Sequence, residues 1–205
     1  MEEKLVALAF DDGPNGTTTK QVLDVLESQG VPASFFIVGS WVEEDGIRQM
    51  KRGLTLGCEY ENHSWTHSDM TKLSREEITE EIRRTSSLIT ELTGREPRFF
   101  RPPYISTNDL MFETIDLTFV CGFAADDWIP MTTAESRAAG IIAGAKDGGL
   151  TLLHDLRGND NTVEALKTII PELKKQGYTF VTVSQLFERK GVVPERGKIY
   201  SYVTD

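Results

Sequence analysis

Two adjacent carboxylates, Asp11 and Asp12, follow the apolar run Leu5-Val6-Ala7-Leu8-Ala9 and precede Gly13-Pro14. The run reads as a buried strand that ends at turn residues. Paired carboxylates at such a place are costly to bury unless a cation holds them. Side chains alternate along a strand, but a bend at its end lets both acids face one pocket. One could then bind a metal while the other stays free as a base. Taken alone, Asp-Asp-Gly-Pro is equally an exposed turn. The histidines tip the balance, and the chain has only three. His63 and His67 are spaced i, i+4, which predicts two imidazoles on one face of a helical turn. With Asp12 they make a two-His, one-carboxylate metal site with positions left for water. His154 ends a second buried-strand pattern, 148–153, and Asp155 follows it.

The elements that must position these groups alternate along the chain. Apolar runs predict strands over 5–9, 33–38, 54–59, 98–101, 119–124, 150–153 and 179–182. Helical periodicity predicts helices over 17–29, 44–52, 74–93, 136–145 and 161–176, the last continuing past Pro171, with a short helix to Arg189. Ser74 with Glu77 forms a capping box at the start of the clearest helix. The tail from Gly191, carrying Tyr200 and Tyr202, is expected to pack back on the body. Such alternation predicts an α/β fold, a distorted (β/α) barrel of about seven parallel strands with outer helices. Asp11, Asp12, His63, His67, Arg101, Asp127 and His154 all follow predicted strands, and strand carboxyl ends converge in a barrel. An open doubly wound sheet places ligands there too, but no glycine-rich phosphate fingerprint follows the first strand.

Length and composition set the outer bounds. The 205 residues fit one domain with a sizeable core, and 39% hydrophobic with 26% charged content is ordinary for a globular chain. A net charge of -10 argues against nucleic acid or an anionic membrane as partner. No apolar run approaches the about 20 residues of a membrane helix. Cys58 and Cys121 read as two buried free thiols in apolar runs. The residues before the first strand do not read as a signal peptide, so a cytoplasmic protein or a mature or excised domain is expected.

Five segments together resemble the NodB-homology polysaccharide deacetylases, family 4 of the carbohydrate esterases. They are Ala9-Phe10-Asp11-Asp12-Gly13-Pro14, Asn62-His63-Ser64-Trp65-Thr66-His67-Ser68, Phe100-Arg101-Pro102-Pro103-Tyr104, Asp127-Trp128 and Leu152-Leu153-His154-Asp155. They occur in the family's order and use every histidine. The resemblance implies one catalytic domain over 1–205. It also implies that Asp12, His63 and His67 hold one divalent metal, zinc first, with cobalt, nickel or manganese as alternatives. Asp11 would be the general base and Arg101 its counter-ion. The backbone N–H of Tyr104 would serve the oxyanion. His154 would be the general acid, tuned by Asp127. Trp128, Leu152 and Leu153, beside Tyr104, would wall the pocket for the acetyl group. Two positions depart from the family pattern: Ile105 stands where glycine is usual, and Ala124 where a second aspartate is usual.

The chemistry is coherent on its own terms. Acetyl hydrolysis needs an activated water, a base beside it, an acid at the leaving group and donors for the oxyanion. The Asn62–Met70 stretch and Arg-Pro-Pro-Tyr-Ile are closest to the acetylxylan esterase branch. The expected activity is therefore O-deacetylation of a polysaccharide such as acetylated xylan. N-deacetylation of peptidoglycan or chitin-type polymers is the alternative. An Fe(II) oxygenase would share the metal ligands but leave Asp11, Arg101 and His154 without work. A binding module without catalysis would need none of the base, acid and ligands together. A polymeric substrate implies an extracellular or cell-surface site, with a cytoplasmic one left open, and a monomer is expected.

Overall fold

The structure is a computed structural model that describes residues 3–204. The first apolar run forms two short strands in line, β1 (Lys4–Ala7) and β2 (Ala9–Asp11). Helix α1 (Thr18–Gln29) follows, then β3 (Ser34–Ile37), α2 (Glu44–Thr55), β4 (Glu59–Asn62) and α3 (Arg75–Thr93). The middle of the chain holds β5 (Phe99–Phe100), α4 (Asp109–Thr114), β6 (Thr118–Val120), β7 (Phe123–Ala124) and α5 (Ala134–Gly144). It closes with β8 (Gly149–His154), α6 (Asp160–Lys175), β9 (Tyr178–Val181), α7 (Val183–Lys190) and β10 (Ile199–Tyr200).

All paired strands are parallel, in the order β10-β6-β5-β4-β3-β2-β8-β1-β9. Strand β7 pairs with β8 on the side away from β2, through Phe123 opposite Thr151. The ring β2-β3-β4-β5-β6/β7-β8 therefore closes on itself, as a distorted barrel. The distortion has two sources. The run over 118–124 bends at Gly122, whose φ is 128, so that β6 pairs β5 while β7 crosses to β8. A Cβ there would lie 2.8 Å from the main chain of Thr151, so glycine is required by the close approach as well as by the bend. The second source is the tail. β10 pairs with β6, and Tyr202 bridges to Gly149, filling the gap that the bend opens.

The alternation within strands divides the core in two. Leu8, Phe10 and Phe35 pack outward against Val22, Leu23 and Leu26 of α1 and Leu166, Ile169 and Ile170 of α6. Ala7, Ala9, Phe36, Phe99 and Leu150 point inward and meet Leu186 and Phe187 of α7, which plugs the amino end of the barrel. Near-continuous apolar strands are what a parallel sheet covered on both faces demands.

Three local expectations are corrected. The predicted strand over 54–59 is displaced: α2 runs to Thr55, and β4 covers Glu59–Asn62. Its acids disguise it, because Glu59 accepts from Ser34 and the Ser184 N–H, and Glu61 from the Arg98 and Phe99 N–H groups. The His63–His67 stretch is an irregular turn, not helix, with Ser64 and His67 at φ 68 and 59. The helix expected from 161 starts at Asp160. Helix α4, capped by the Asn108 side chain, was not foreseen. The capping box at Ser74 and the helix running through Pro171 are as expected, and both cysteines are free, Cys58 buried as expected but Cys121 only half-buried.

Candidate active site

Strand β2 ends at Asp11, and the chain leaves through Asp12 in a left-handed conformation, φ 72. That turn breaks the alternation, and both carboxylates line one cavity of about 400 Å³. Asp11 is 1% exposed and is met by Arg101, fully buried, whose Nη1 donates to Asp11 Oδ1 over 2.6 Å. Arg101 also donates to the Thr151 carbonyl and lies over the Phe36 ring. The next turn is packed from below. A Cβ on Gly13 would fall 2.3 Å from the buried Asp155 carboxylate, which accepts from the Thr19 hydroxyl. Burial, together with the charges of Asp12 and Asp11, pushes the Asp155 carboxyl up to about 7, against the pull of Thr19.

Asp12 Oδ1 is buried and has no hydrogen-bond partner. It lies 3.6 Å from His63 Nε2 and 3.4 Å from His67 Nε2. One donor atom from each residue falls within 4.8 Å of the others. His63 Nδ1 lies 2.6 Å from the Arg101 carbonyl, so that nitrogen carries the proton and Nε2 offers its lone pair. Burial lowers the pKa of both histidines, which keeps them neutral, as ligands must be. An orphaned carboxylate oxygen facing two imidazole lone pairs fits a divalent cation. The His63–His67 turn is held by Asn62, whose Oδ1 accepts from the Ser64 N–H, and by Glu81 of α3. One Glu81 oxygen accepts from both the Trp65 and Thr66 N–H groups. Trp41 and Tyr104 pack on the His67 ring.

His154 ends β8 and lines the same cavity. Asp127 takes both the His154 N–H, at 2.8 Å, and Nδ1, at 2.7 Å, leaving Nε2 free. Thr162 and Asn159, at the start of α6, donate to the Asp127 oxygen Oδ2 at 2.8 and 3.3 Å. Burial pulls the His154 pKa down, but the Asp127 hydrogen bond and charge, aided by Asp11 and Asp12, carry it up to about 9. Trp128 meets the His154 ring edge-on.

Pro102, Tyr104, Ile105, Trp128 and Leu152 line the apolar side of the cavity. Leu153, expected with them, faces the outer core instead, since neighbours on β8 alternate. Tyr104 and Ile105 are both left-handed, at φ 58 and 54. Ala124 sits exposed on β7, and Asp127 is held without it. Asn159, Thr162, Glu81 and Trp41 escaped the sequence reading. The first two lie in the opening turn of a helix, where polar residues are expected as caps whatever else they do.

Residues 1–118 match the family model described as polysaccharide deacetylase. A bifunctional xylanase/deacetylase of Pseudobutyrivibrio xylanivorans is 49% identical over 202 residues, which is 98% of this chain and 33% of that protein. The chain thus spans about a third of that relative's length. Among solved structures, the Xyl-CE4 domain of a multidomain xylanase from the hindgut metagenome of Trinervitermes trinervoides superposes with a TM-score of 0.96 at 48% identity, covering 98% of each chain. A family 4 acetyl xylan esterase from Clostridium thermocellum, in complex with a cobalt ion, superposes with a TM-score of 0.94 at 44% identity, covering 98% of this chain and 99% of that one.

Proposed function

Because the chain belongs to the polysaccharide deacetylase family, we propose that it is a metal-dependent hydrolase that removes O-acetyl groups from acetylated xylan and releases acetate. One observation carries this reading. A single cavity holds the Asp12, His63 and His67 group together with a carboxylate paired to arginine and a histidine paired to aspartate. A divalent cation held by that group, zinc in this reading, supplies Lewis-acid polarisation and lowers the pKa of water toward about 7.

The chain's own residues do the rest. Asp11 accepts the proton of the attacking water. Its Oδ1 is taken by Arg101, while Oδ2 lies 3.8 Å from His63 Nε2, on the side of the ligand group. The backbone N–H of Tyr104 donates to the oxygen that gains charge as the tetrahedral carbon forms. His154 gives its Nε2 proton to the departing sugar oxygen, with Nδ1 committed to Asp127. Leu152 and Trp128 exclude water around the acetyl methyl. In this reading the polymeric substrate puts the work outside the cell or at its surface, and the chain acts there as a monomer. No described helix is long and apolar enough to cross a membrane.

One observation favours a second reading, N-deacetylation of N-acetylglucosamine polymers. An amide nitrogen must be protonated to leave, and the Asp127 carboxylate on His154 Nδ1 favours the charged ring with its Nε2 proton free to give. The test is acetate release by zinc-loaded protein from acetylxylan, chitin oligomers and peptidoglycan side by side. Acetylxylan is expected to react fastest. Faster release from an N-acetylated polymer would make the second reading the right one.

A further inference from the structure

Arg101 and Arg137 head the large side chains that are fully buried. Arg101 has its carboxylate. Arg137, in the first turns of α5, makes no ion pair among the described residues. A buried guanidinium is costly unless its donors are satisfied. Those of Arg137 go to four acceptors, all connected to the acid side of the cavity. Nη1 donates to Asn159 Oδ1 at 2.5 Å and to Thr162 Oγ1 at 2.9 Å. Nε donates to Thr132 Oγ1 at 2.8 Å, and Nη2 to the Ile129 carbonyl at 3.2 Å. Asn159 and Thr162 are the side chains that hold Asp127 Oδ2, and Ile129 and Thr132 belong to the loop that carries Asp127 and Trp128.

We infer that Arg137 is a positioning residue for proton donation by His154, acting through Asn159 and Thr162 on Asp127. The argument is one of hydrogen-bond polarity. A guanidinium has donors and no acceptor. Facing it, the Asn159 amide must present its oxygen, so its nitrogen turns to Asp127 Oδ2 and the His154 carbonyl. The Thr162 hydroxyl accepts from Arg137 and must spend its one proton on Asp127. Both relays therefore end in donors aimed at Asp127. Asp127 is left as an acceptor toward the His154 N–H and Nδ1, which fixes the ring with Nε2 free. Without the arginine, the hydroxyl can rotate and the amide can flip.

The inference rests on reading His154 as the acid. The test compares zinc-loaded wild type, Arg137→Lys, Thr162→Val, Thr162→Ser and His154→Ala on acetylxylan and on 4-nitrophenyl acetate, whose leaving group needs no proton. Arg137→Lys and Thr162→Val are expected to lose about 10- to 100-fold in kcat on acetylxylan, the range of groups that orient catalytic residues. Both should stay within about threefold on the aryl ester, and Thr162→Ser, which keeps the hydroxyl, should recover most of the loss. The double variant Arg137→Lys/Thr162→Val should lose less than the product of the single losses, as partners in one relay do. If Arg137→Lys fails to fold, the Thr162 pair decides. Equal losses on both esters, or none, alongside a selective loss in His154→Ala, would overturn the inference alone. An unselective loss in His154→Ala would overturn the reading of His154 and the inference with it.

Discussion

Asp12 reaches the cavity because its backbone is left-handed, whereas His154 reaches it as the last residue of a regular strand. The contrast extends to the surroundings of each. Around the proposed metal ligands and the turn proposed to serve the oxyanion, Asp12, Ser64, His67, Tyr104 and Ile105 all have positive φ. Such residues cost about 1–3 kcal/mol each and persist only where the rest of the structure overrules them. Around His154 the neighbourhood has one, Asp126, and the geometry is held by side-chain hydrogen bonds running back through Asp127 to α5 and α6. The metal-and-base half takes its shape from left-handed main-chain turns, clamped by Asn62 and Glu81, and the acid half from a relay of side chains. Changing a side chain that only lines the cavity in the first half, and clamps no turn, should remove chemistry while its frame persists. Changes several bonds away in the second should still be felt.

The largest effect should come from the metal group itself. Asp12→Ala removes the one anionic ligand, and activity should fall by about 10³-fold or more on every ester, activated or not, since Lewis-acid help is worth several kcal/mol. Elemental analysis should show the metal gone while the circular dichroism is unchanged. Full activity in the metal-free protein would dissolve the distinction between the halves. Next come base and acid, taken as a pair. Asp11→Asn should keep its metal and lose about 10²- to 10⁴-fold on all esters, because the proton acceptor serves every substrate. His154→Ala should lose a comparable factor on acetylxylan and much less on 4-nitrophenyl acetate. A similar loss on both esters would mean that the halves do not divide the reaction as drawn.

The same contrast explains what could be seen in the sequence. Asp11, Asp12, His63, His67 and His154 each stand at or just past a strand end, so one pass along the chain gathers them. The left-handed turns at Asp12 and at Ser64 and His67 are short, and Gly13-Pro14 marks the first of them. Arg137, Asn159 and Thr162 left no such trace, because they converge only when α5 and α6 pack together. Strand β4 was misplaced for a related reason. Its glutamates look solvated until Ser34 and the N–H groups of Arg98 and Phe99 are brought to them. Local chemistry was legible, and partners supplied across the fold were not.

Asp155 offers a smaller test of how the main-chain half is supported. Folding lifts its carboxyl from the ordinary 3.8 to about 7, so the protonated form favours the folded state. That contribution is fully present below about 4 and is lost as pH rises toward 7. Melting curves of chelated wild type and Asp155→Asn at pH 4.5 and 7.5 should therefore diverge. The wild type should lose stability relative to the variant on going to the higher pH. A constant gap between the two would mean that Asp155 is not held protonated beneath the Gly13 turn.

The smallest expected effect is at Ile105, and its sign is the informative part. Isoleucine is branched at Cβ, and in the left-handed region that branch crowds its own backbone. Here it is half-buried at the cavity wall with φ 54, directly after Tyr104 at φ 58. Glycine adopts that conformation without the crowding, though it also loses more freedom on folding, by about 0.5–1 kcal/mol. Relief of about 1–3 kcal/mol set against that cost leaves Ile105→Gly more stable by about 1 kcal/mol, or about 2–4 °C in Tm for a chain of this size. Activity should move the other way. The apolar wall beside the Tyr104 N–H would be lost and the turn loosened, so KM for acetylxylan should rise while the response to leaving group stays as in the wild type. The acid half is untouched by this change, and an altered ratio between acetylxylan and the aryl ester would show the two halves to be coupled through the oxyanion turn. A lower Tm would mean that burial of the isoleucine outweighs the strain, and that the main chain of this half is held by packing on its side chains after all.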